Sequence, residues 1–276
     1  MGRDFLQDGN MMPPRLYDDD PLTPGERDEL EESLISFSDR ELDLLGDIRG
    51  LDVLYAGGAS PLWIEGLSQR LGEAGNLTAL EAEAERISEG REALRDAALA
   101  APVRLVVGNV FEPPFGPQTF DLVYSAGLFH ELDVRERPAE DALRSLISVL
   151  RPGGRVATSD FIDAVPAVQL ADEEIQRELA LEASGARLYG IGSPERLIGL
   201  HESLLEAVRW RVSLPFEVRH LDELVLAEGE PEGLSLLSAG AQLRLRERRK
   251  ALLEHVRREG YTRPATLYVE GRAAGS

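Results

Sequence analysis

An α/β fold built around a parallel sheet is what this sequence predicts, and three observations predict it. Short apolar runs recur along the chain: "LDVLYA", "NLTALEA", "VRLVVGN", "FDLVYSAGLF" and "RVATSDF". Segments with helical spacing separate most of them, such as "PLWIEGLSQRL", "AERISEGREALRDAALA" and "PAEDALRSLISVL". Leu105-Val106-Val107 and Leu122-Val123-Tyr124 are apolar at consecutive positions, the pattern of strands covered on both faces. Strands joined by helices of this length are parallel crossovers, with helices on both sides of one sheet.

Taken in order, residues 1–22 are rich in Pro, Asp and Met and read as an irregular arm. Thr23-Pro24-Gly25-Glu26 starts a helix, because Thr23 can cap, Pro24 fits the first turn and Glu26 completes a capping-box spacing. Leu30, Leu34, Ile35, Leu42 and Leu45 then follow at roughly helical spacing, which predicts one or two helices packed on the main domain. The first strand ends in the loop "LYAGGASPLW", and Pro61 opens a helix. Pro138 sits near the start of another, and Arg151-Pro152-Gly153-Gly154 makes a tight turn into "RVATSDF". Residues 170–210 are mostly helical in pattern, and "FEVRHLDELVL" fits a strand entering a helix or loop. Residues 234–259 predict a long amphipathic helix stopped by Gly260, and "ATLYVEGRA" a last strand. The division that follows is an N-terminal arm and helical cap, 1–48, and a main domain, 49–276, with a helical insertion at about 163–215.

Composition limits the function. The net charge is −20, and Lys250 is the only lysine, so nucleic acid and anionic membrane surfaces are not expected partners. The basic stretch "RLRERRK", Arg244 to Lys250, reads as the solvated face of a helix. Cysteine is absent and the four histidines form no close pair, so neither disulfides nor a histidine-based metal site is expected. No run approaches a membrane span, and the default location is the cytoplasm. Oligomeric state is not written in the sequence; a homodimer is compatible with it.

Open parallel sheets bind ligands at the carboxyl ends of their strands. The small residues Ala56, Gly57, Gly58, Ala59 and Ser60 after the first strand let a ligand approach the backbone, and the next helix offers N–H groups. Glu81 after the second strand can accept both hydroxyls of a ribose. Asn109, in Gly108-Asn109-Val110 after the third, can serve an adenine edge. Ser125-Ala126-Gly127 and then His130 follow the fourth. Each has a plainer reading: a glycine turn, a carboxylate at a helix start, a turn asparagine, a serine bonded to nearby backbone, a histidine packed beside Phe129.

Residues from about 50 to 162 resemble the core of class I S-adenosylmethionine-dependent methyltransferases, of the small-molecule type with a quinone-biosynthesis-methyltransferase-like core. The resemblance is carried, in order, by "DVLYAGGAS", "LTALEAEAERI", "VVGNVFEPPFGPQTFDLVYSAGLFHEL" and "LRPGGRVATSDF". It implies a Rossmann-like, doubly wound sheet of seven strands, mostly parallel with an antiparallel last strand. It implies S-adenosyl-L-methionine as cofactor and a small-molecule acceptor of the methyl group. By position, Gly57, Gly58 and Ala59 would line the methionine part, Glu81 would bind the ribose, and Asn109 and Val110 the adenine. Ser125 and Ala126 would lie near the methionine moiety and the transferred methyl. His130 is the candidate catalytic base, with packing as its alternative.

Four positions depart from the family pattern. Tyr55 stands where the loop usually has an acidic residue, Ala59 and Pro61 replace its second and third glycines, and Asn109 replaces an aspartate. These departures keep a second function open: a non-catalytic protein of the same fold, acting as a binding module or oligomer subunit. The segment 163–215 with the N-terminal helices would form a lid over the acceptor, and Leu188, Tyr189, Ile191 and Leu197 suggest a partly hydrophobic one.

Overall fold

The computed structural model describes residues 22–132, 137–162, 167–184, 191, 193–227, 230–231 and 233–275. Seven strands form one sheet: β1 (Asp52–Ala56), β2 (Asn76–Glu81), β3 (Val103–Val107), β4 (Phe120–Ala126), β5 (Leu150–Phe161), β6 (Glu206–Ser213) and β7 (Thr266–Arg272). Their order is β3-β2-β1-β4-β5-β7-β6. The first five pair in parallel, while β7 runs antiparallel between β5 and β6. The last strand of the chain is therefore the reversed one.

Alternation along each strand explains why both faces are covered. Val53, Tyr55, Leu77, Ala79, Leu122 and Tyr124 pack with Ile64, Leu67 and Leu71 of α2 (Pro61–Leu71). Leu54, Ala56, Leu80, Val123 and Val156 face the other way, onto α4 (Arg137–Ser148) and α6 (Pro194–Leu204). Here α3 (Ala84–Ala93) completes the β2–β3 crossover and α5 (Ala167–Ser184) follows β5.

At the N-terminus, α1 (Pro24–Leu42) begins with the capping box its sequence predicts: Glu26 N–H donates to Thr23 Oγ1 at 3.3 Å and Thr23 N–H to Glu26 Oε2 at 2.7 Å. Its end joins the main core through Leu42, and Glu41 is buried, accepting from Ser159 Oγ at 2.8 Å and Thr266 Oγ1 at 2.9 Å. A second apolar cluster joins the start of α1 to α5, α7 (Leu221–Ala227) and α8 (Ala239–Glu259). Most of the basic stretch of α8 is surface, as its pattern suggests, and paired rather than merely solvated, but Arg249 within it is buried. Arg244 and Arg248 meet Glu174, Glu178 and Glu182 of α5, and Arg246 meets Glu230. Gly260 ends α8, donating its N–H to Val256 O at 2.8 Å.

One boundary changes. The insertion expected to be helical to about residue 215 instead ends in β6, the edge strand of the sheet. The run "EAVRWRVS" alternates charge with apolar residues and is exposed along most of its length, so it lacks the continuous apolar signature of the inner strands. Leu188 and Tyr189 lie outside the described residues. Ile191 and Leu197 are fully buried in the α4–α6 core, which removes them as acceptor contacts.

Candidate active site

A cavity of about 400 Å³ opens along the carboxyl ends of the parallel strands, within the size range of small-molecule sites. Gly57, Gly58, Ala59, Glu81, Asn109, Val110 and Ala126 all line it. The sheet order explains how residues so distant in sequence meet: β3, β2, β1 and β4 are consecutive neighbours, so their ends form one rim.

The loop after β1 is built tightly. Gly57 has φ +79°, a conformation L side chains rarely adopt, and a Cβ there would lie 2.6 Å from Leu128. The N–H groups of Gly57 and Gly58 both donate to Leu80 O, at 2.9 and 3.1 Å, which fixes the loop against the end of β2. The departures from the family pattern have local compensation. A Cβ on Gly58 would fall 2.6 Å from the Tyr55 hydroxyl, so the larger residue at 55 is matched by the absence of a side chain at 58. Tyr55 is buried and stacks on Tyr124 at 6.1 Å. A Cβ on Gly90 of α3 would meet Ala59 O at 2.8 Å and Ala59 Cβ at 3.4 Å, so glycine on the helix makes room for alanine in the loop. Pro61 occupies the first turn of α2, where no hydrogen bond is lost.

Glu81 ends β2 and is buried, and its Oε1 accepts from Glu83 N–H at 2.9 Å. That bond orients the carboxylate while leaving lone pairs on both oxygens for a ligand. Asn109 makes the turn its plainer reading suggested: its Oδ1 accepts from Phe111 N–H at 2.9 Å. The NH2 group is then the part of the amide that can serve a ligand, beside Val110 and Phe111 on the same wall. Arg86 reaches this end of the cavity and pairs with Glu83 at 3.1 Å.

Two expected site residues are placed elsewhere. Ser125 is fully buried behind the wall, where its hydroxyl donates to Thr158 Oγ1 at 3.3 Å. One residue further on, Ala126 does line the cavity, so alternation along β4 turns Ser125 away from it. His130 is not on the wall either. Its Nδ1 lies 2.8 Å from Asp160 Oδ1, and its N–H and that of Phe129 donate to Asp160 Oδ2 at 3.2 and 2.7 Å. Burial opposes charge on this imidazole, but the Asp160 carboxylate outweighs burial and the pKa is raised. The carboxylate holds Nδ1 and leaves Nε2 as the ring nitrogen that can exchange a proton, while the raised pKa extends the protonated form toward neutral pH. Asp160 itself is on the wall.

The sequence pointed to the other half of the cavity only through the N-terminal helices, expected as part of an acceptor lid, and through Trp63. Leu34 and Phe37 of α1, Trp63 of α2, Phe161 at the end of β5, Leu221 of α7, and Tyr261 and Arg263 ahead of β7 line it. Of these, only Trp63 stands in a quoted loop. Phe37 packs edge-on to Trp63 at 6.3 Å, and Trp63 lies 6.0 Å from Tyr124. These residues come from opposite ends of the chain, and no local motif announces their meeting.

Residues 53–154 match the profile of the family described as "Methyltransferase domain". A ubiquinone/menaquinone biosynthesis C-methyltransferase, UbiE of Idiomarina loihiensis, is 36% identical over 128 residues, covering 46% of this chain and 49% of that protein. The chain thus matches about half the length of such curated relatives. Two solved structures share the fold. Geranyl diphosphate C-methyltransferase from Streptomyces coelicolor A3(2) has a TM-score of 0.58 at 14% identity, covering 96% of this chain and 91% of that one. The YcgJ protein from Bacillus subtilis has a TM-score of 0.57 at 15% identity, covering 87% of this chain and 100% of that one.

Proposed function

We propose that this chain, which carries a class I S-adenosylmethionine-dependent methyltransferase domain, moves a methyl group from S-adenosylmethionine to a small organic acceptor. The observation that carries this reading is the single cavity shared by a polar half at β1, β2 and β3 and an aromatic half at α1, β5 and β7. When bound, the cofactor supplies a methyl on a sulfonium leaving group, open to direct displacement by a lone pair of the acceptor.

In this reading Glu81 accepts from the ribose hydroxyls, the Asn109 NH2 group and the Val110 wall hold the adenine, and Gly57, Gly58 and Ala59 flank the methionine part. Three features support the fit: a buried, oriented carboxylate, a left-handed glycine in the β1 loop, and the Gly58 and Gly90 gaps that absorb Tyr55 and Ala59. The protein's remaining work is alignment of the two reactants and exclusion of water, which proximity alone makes large. No proton transfer is assigned to His130, which is not among the residues lining the cavity. Tyr55 gives a second reading some weight, because it replaces a carboxylate with a neutral hydroxyl at the cofactor's amino-acid end.

Incubation of the protein with methyl-labelled S-adenosylmethionine and a low-molecular-mass cell extract tests the proposal. Label should appear in a small molecule, and S-adenosylhomocysteine should accumulate to many equivalents per protein. Cofactor binding without turnover in any extract, or no cofactor binding by the folded protein, would favour the non-catalytic binding module or oligomer subunit.

A further inference from the structure

Two hydroxyls on the wall of the aromatic half share one buried carboxylate. Ser159 of β5 and Thr266 of β7 both line the cavity, and both donate to Glu41 Oε2, at 2.8 and 2.9 Å. The register of the sheet sets their places: Ser159 is opposite Ala126 of β4, and Thr266 is opposite Phe161 of β5. Glu41, in the last turn of α1, is fully buried. Its other oxygen, Oε1, is buried without a hydrogen bond and lies 3.4 Å from Arg40 Nη2.

A hydroxyl carries a single proton. With that proton given to Glu41, each of these two oxygens presents only lone pairs to the cavity. The Tyr124 hydroxyl lies near Ser159 and makes no hydrogen bond; an oxygen with two lone pairs can face it and still keep one for a ligand. This part of the wall therefore receives a donor and supplies none. The acid beside Ser159 is already used, since Asp160 accepts from the N–H groups of Phe129, His130 and Phe161 and holds the His130 ring. The donor that fits is uncharged. Phe37, one helical turn before Glu41, has the guanidinium carbons of Arg40 and Arg263 at 5.6 and 4.9 Å from its ring centre, and two cations there repel a third.

We infer that the group methylated is a hydroxyl on an apolar or aromatic body, that Ser159 and Thr266 receive its O–H, and that Glu41 behind them takes up the proton. The inference rests on the methyltransferase reading and names its acceptor group. Ala126, which that reading puts beside the transferred methyl, is the residue opposite Ser159, so the receiving oxygen is next to the reacting atoms. The acceptor oxygen forms its bond to the methyl carbon as the carbon–sulfur bond breaks, and the electron pair of that bond stays on sulfur as a neutral thioether. The acceptor's proton passes to Ser159 Oγ while the Ser159 proton passes to Glu41 Oε2. The carboxylic acid formed at Glu41 returns its proton to water when the product leaves. Ser159 is then a catalytic residue, and Glu41 a positioning residue that acts through it.

Matched probes test this on the full chain saturated with S-adenosylhomocysteine, whose own binding is measured in the same samples by calorimetry. 4-Ethylphenol, 1-ethyl-4-fluorobenzene and the 4-ethylbenzylammonium ion are titrated by ligand-observed NMR. The phenol should bind about tenfold more tightly than either of the others, and Ser159→Ala should cut its preference over the fluoro compound at least about threefold, with S-adenosylhomocysteine affinity unchanged. In a second arm, the products labelled from the cell extract are refluxed in hydriodic acid, which frees methyl iodide from O-methyl groups and leaves C-methyl groups intact. Most of the label should leave as methyl iodide. Glu41→Gln should slow labelling at least about tenfold while S-adenosylhomocysteine still binds, and Glu41→Asp, which keeps a carboxylate, should restore part of the rate and guards against a misfolded glutamine variant. Equal binding of the phenol and the fluoro compound, tighter binding of the ammonium ion, no binding of the phenol at millimolar concentration, label that survives hydriodic acid, or an unchanged rate in Glu41→Gln would each overturn the inference. Where S-adenosylhomocysteine binds and label is transferred, those results sink only the acceptor group; if S-adenosylhomocysteine does not bind or no label moves, the methyltransferase reading fails first.

Discussion

Replacing Glu81 with alanine should weaken S-adenosylhomocysteine binding by about a hundredfold. Two ribose hydroxyls donating to one carboxylate form charge-assisted hydrogen bonds worth about 1.5–3 kcal/mol each, and losing most of that energy gives a factor of about 100. The carboxylate has a second task, since its Oε1 accepts from Glu83 N–H and so holds the start of α3 against the cavity. Glu81→Gln separates the two, because it retains a carbonyl oxygen for Glu83 while losing the charge, and a loss of about tenfold is expected. Isothermal titration with the wild type and both variants gives the three affinities directly. A change of less than threefold in Glu81→Ala, with the variant folded, would mean that the ribose is not at Glu81.

The second large effect concerns stability. His201 of α6 is fully buried, with Nδ1 2.9 Å from Leu197 O and Nε2 3.0 Å from Thr158 Oγ1. A carbonyl can only accept, so Nδ1 carries the proton and Nε2 accepts from the Thr158 hydroxyl, which in turn accepts from Ser125. Burial disfavours the charged ring, outweighing the Leu197 bond, and the pKa falls to about 4. In the unfolded chain the ring titrates at about 6.5. Between these values the unfolded state binds the extra proton, so the contribution is complete above pH 6.5, declines as the pH falls and is gone near pH 4. The difference amounts to about 3 kcal/mol. Denaturant unfolding of wild type and His201→Leu at pH 7 and pH 4 isolates it, since other titrating groups cancel. The stability gap between the two proteins should narrow by about 3 kcal/mol on acidification; parallel pH profiles would show that His201 keeps an ordinary pKa.

The polar half of the site was legible because each residue follows a strand with a clear apolar signature. Glu81, Asn109 and Ala126 sit on the rim for that reason, and Gly57 is where a left-handed turn was needed. Ser125 was misjudged by a single position: at the last turn of a strand, one residue decides between wall and interior. His130 was read from its chemistry, and only the structure reveals that Asp160, unmarked inside the run "RVATSDF", holds its Nδ1 and that its ring is not on the cavity wall. β6 escaped notice because an edge strand half covered by neighbours need not be apolar, and Trp210 on it is 56% exposed. Of the aromatic half, only the approach of the N-terminal helices to the acceptor was legible, not the residues that meet there. Phe37, Phe161 and Arg263 meet through α1, β5 and the approach to β7, and no spacing rule links residues so far apart in the chain. The same is true of the Tyr55–Gly58 and Ala59–Gly90 pairs, each of which looks like a defect until its partner is in view.

Co-crystallisation with S-adenosylhomocysteine tests the assignment of the cavity most directly. The expected density has the ribose hydroxyls within hydrogen-bond distance of Glu81, the adenine beside Asn109 and Val110, and the sulfur turned toward Ala126 and the aromatic half. Ligand density at any other place on the molecule, or a ligand-free cavity at saturating S-adenosylhomocysteine, would contradict it.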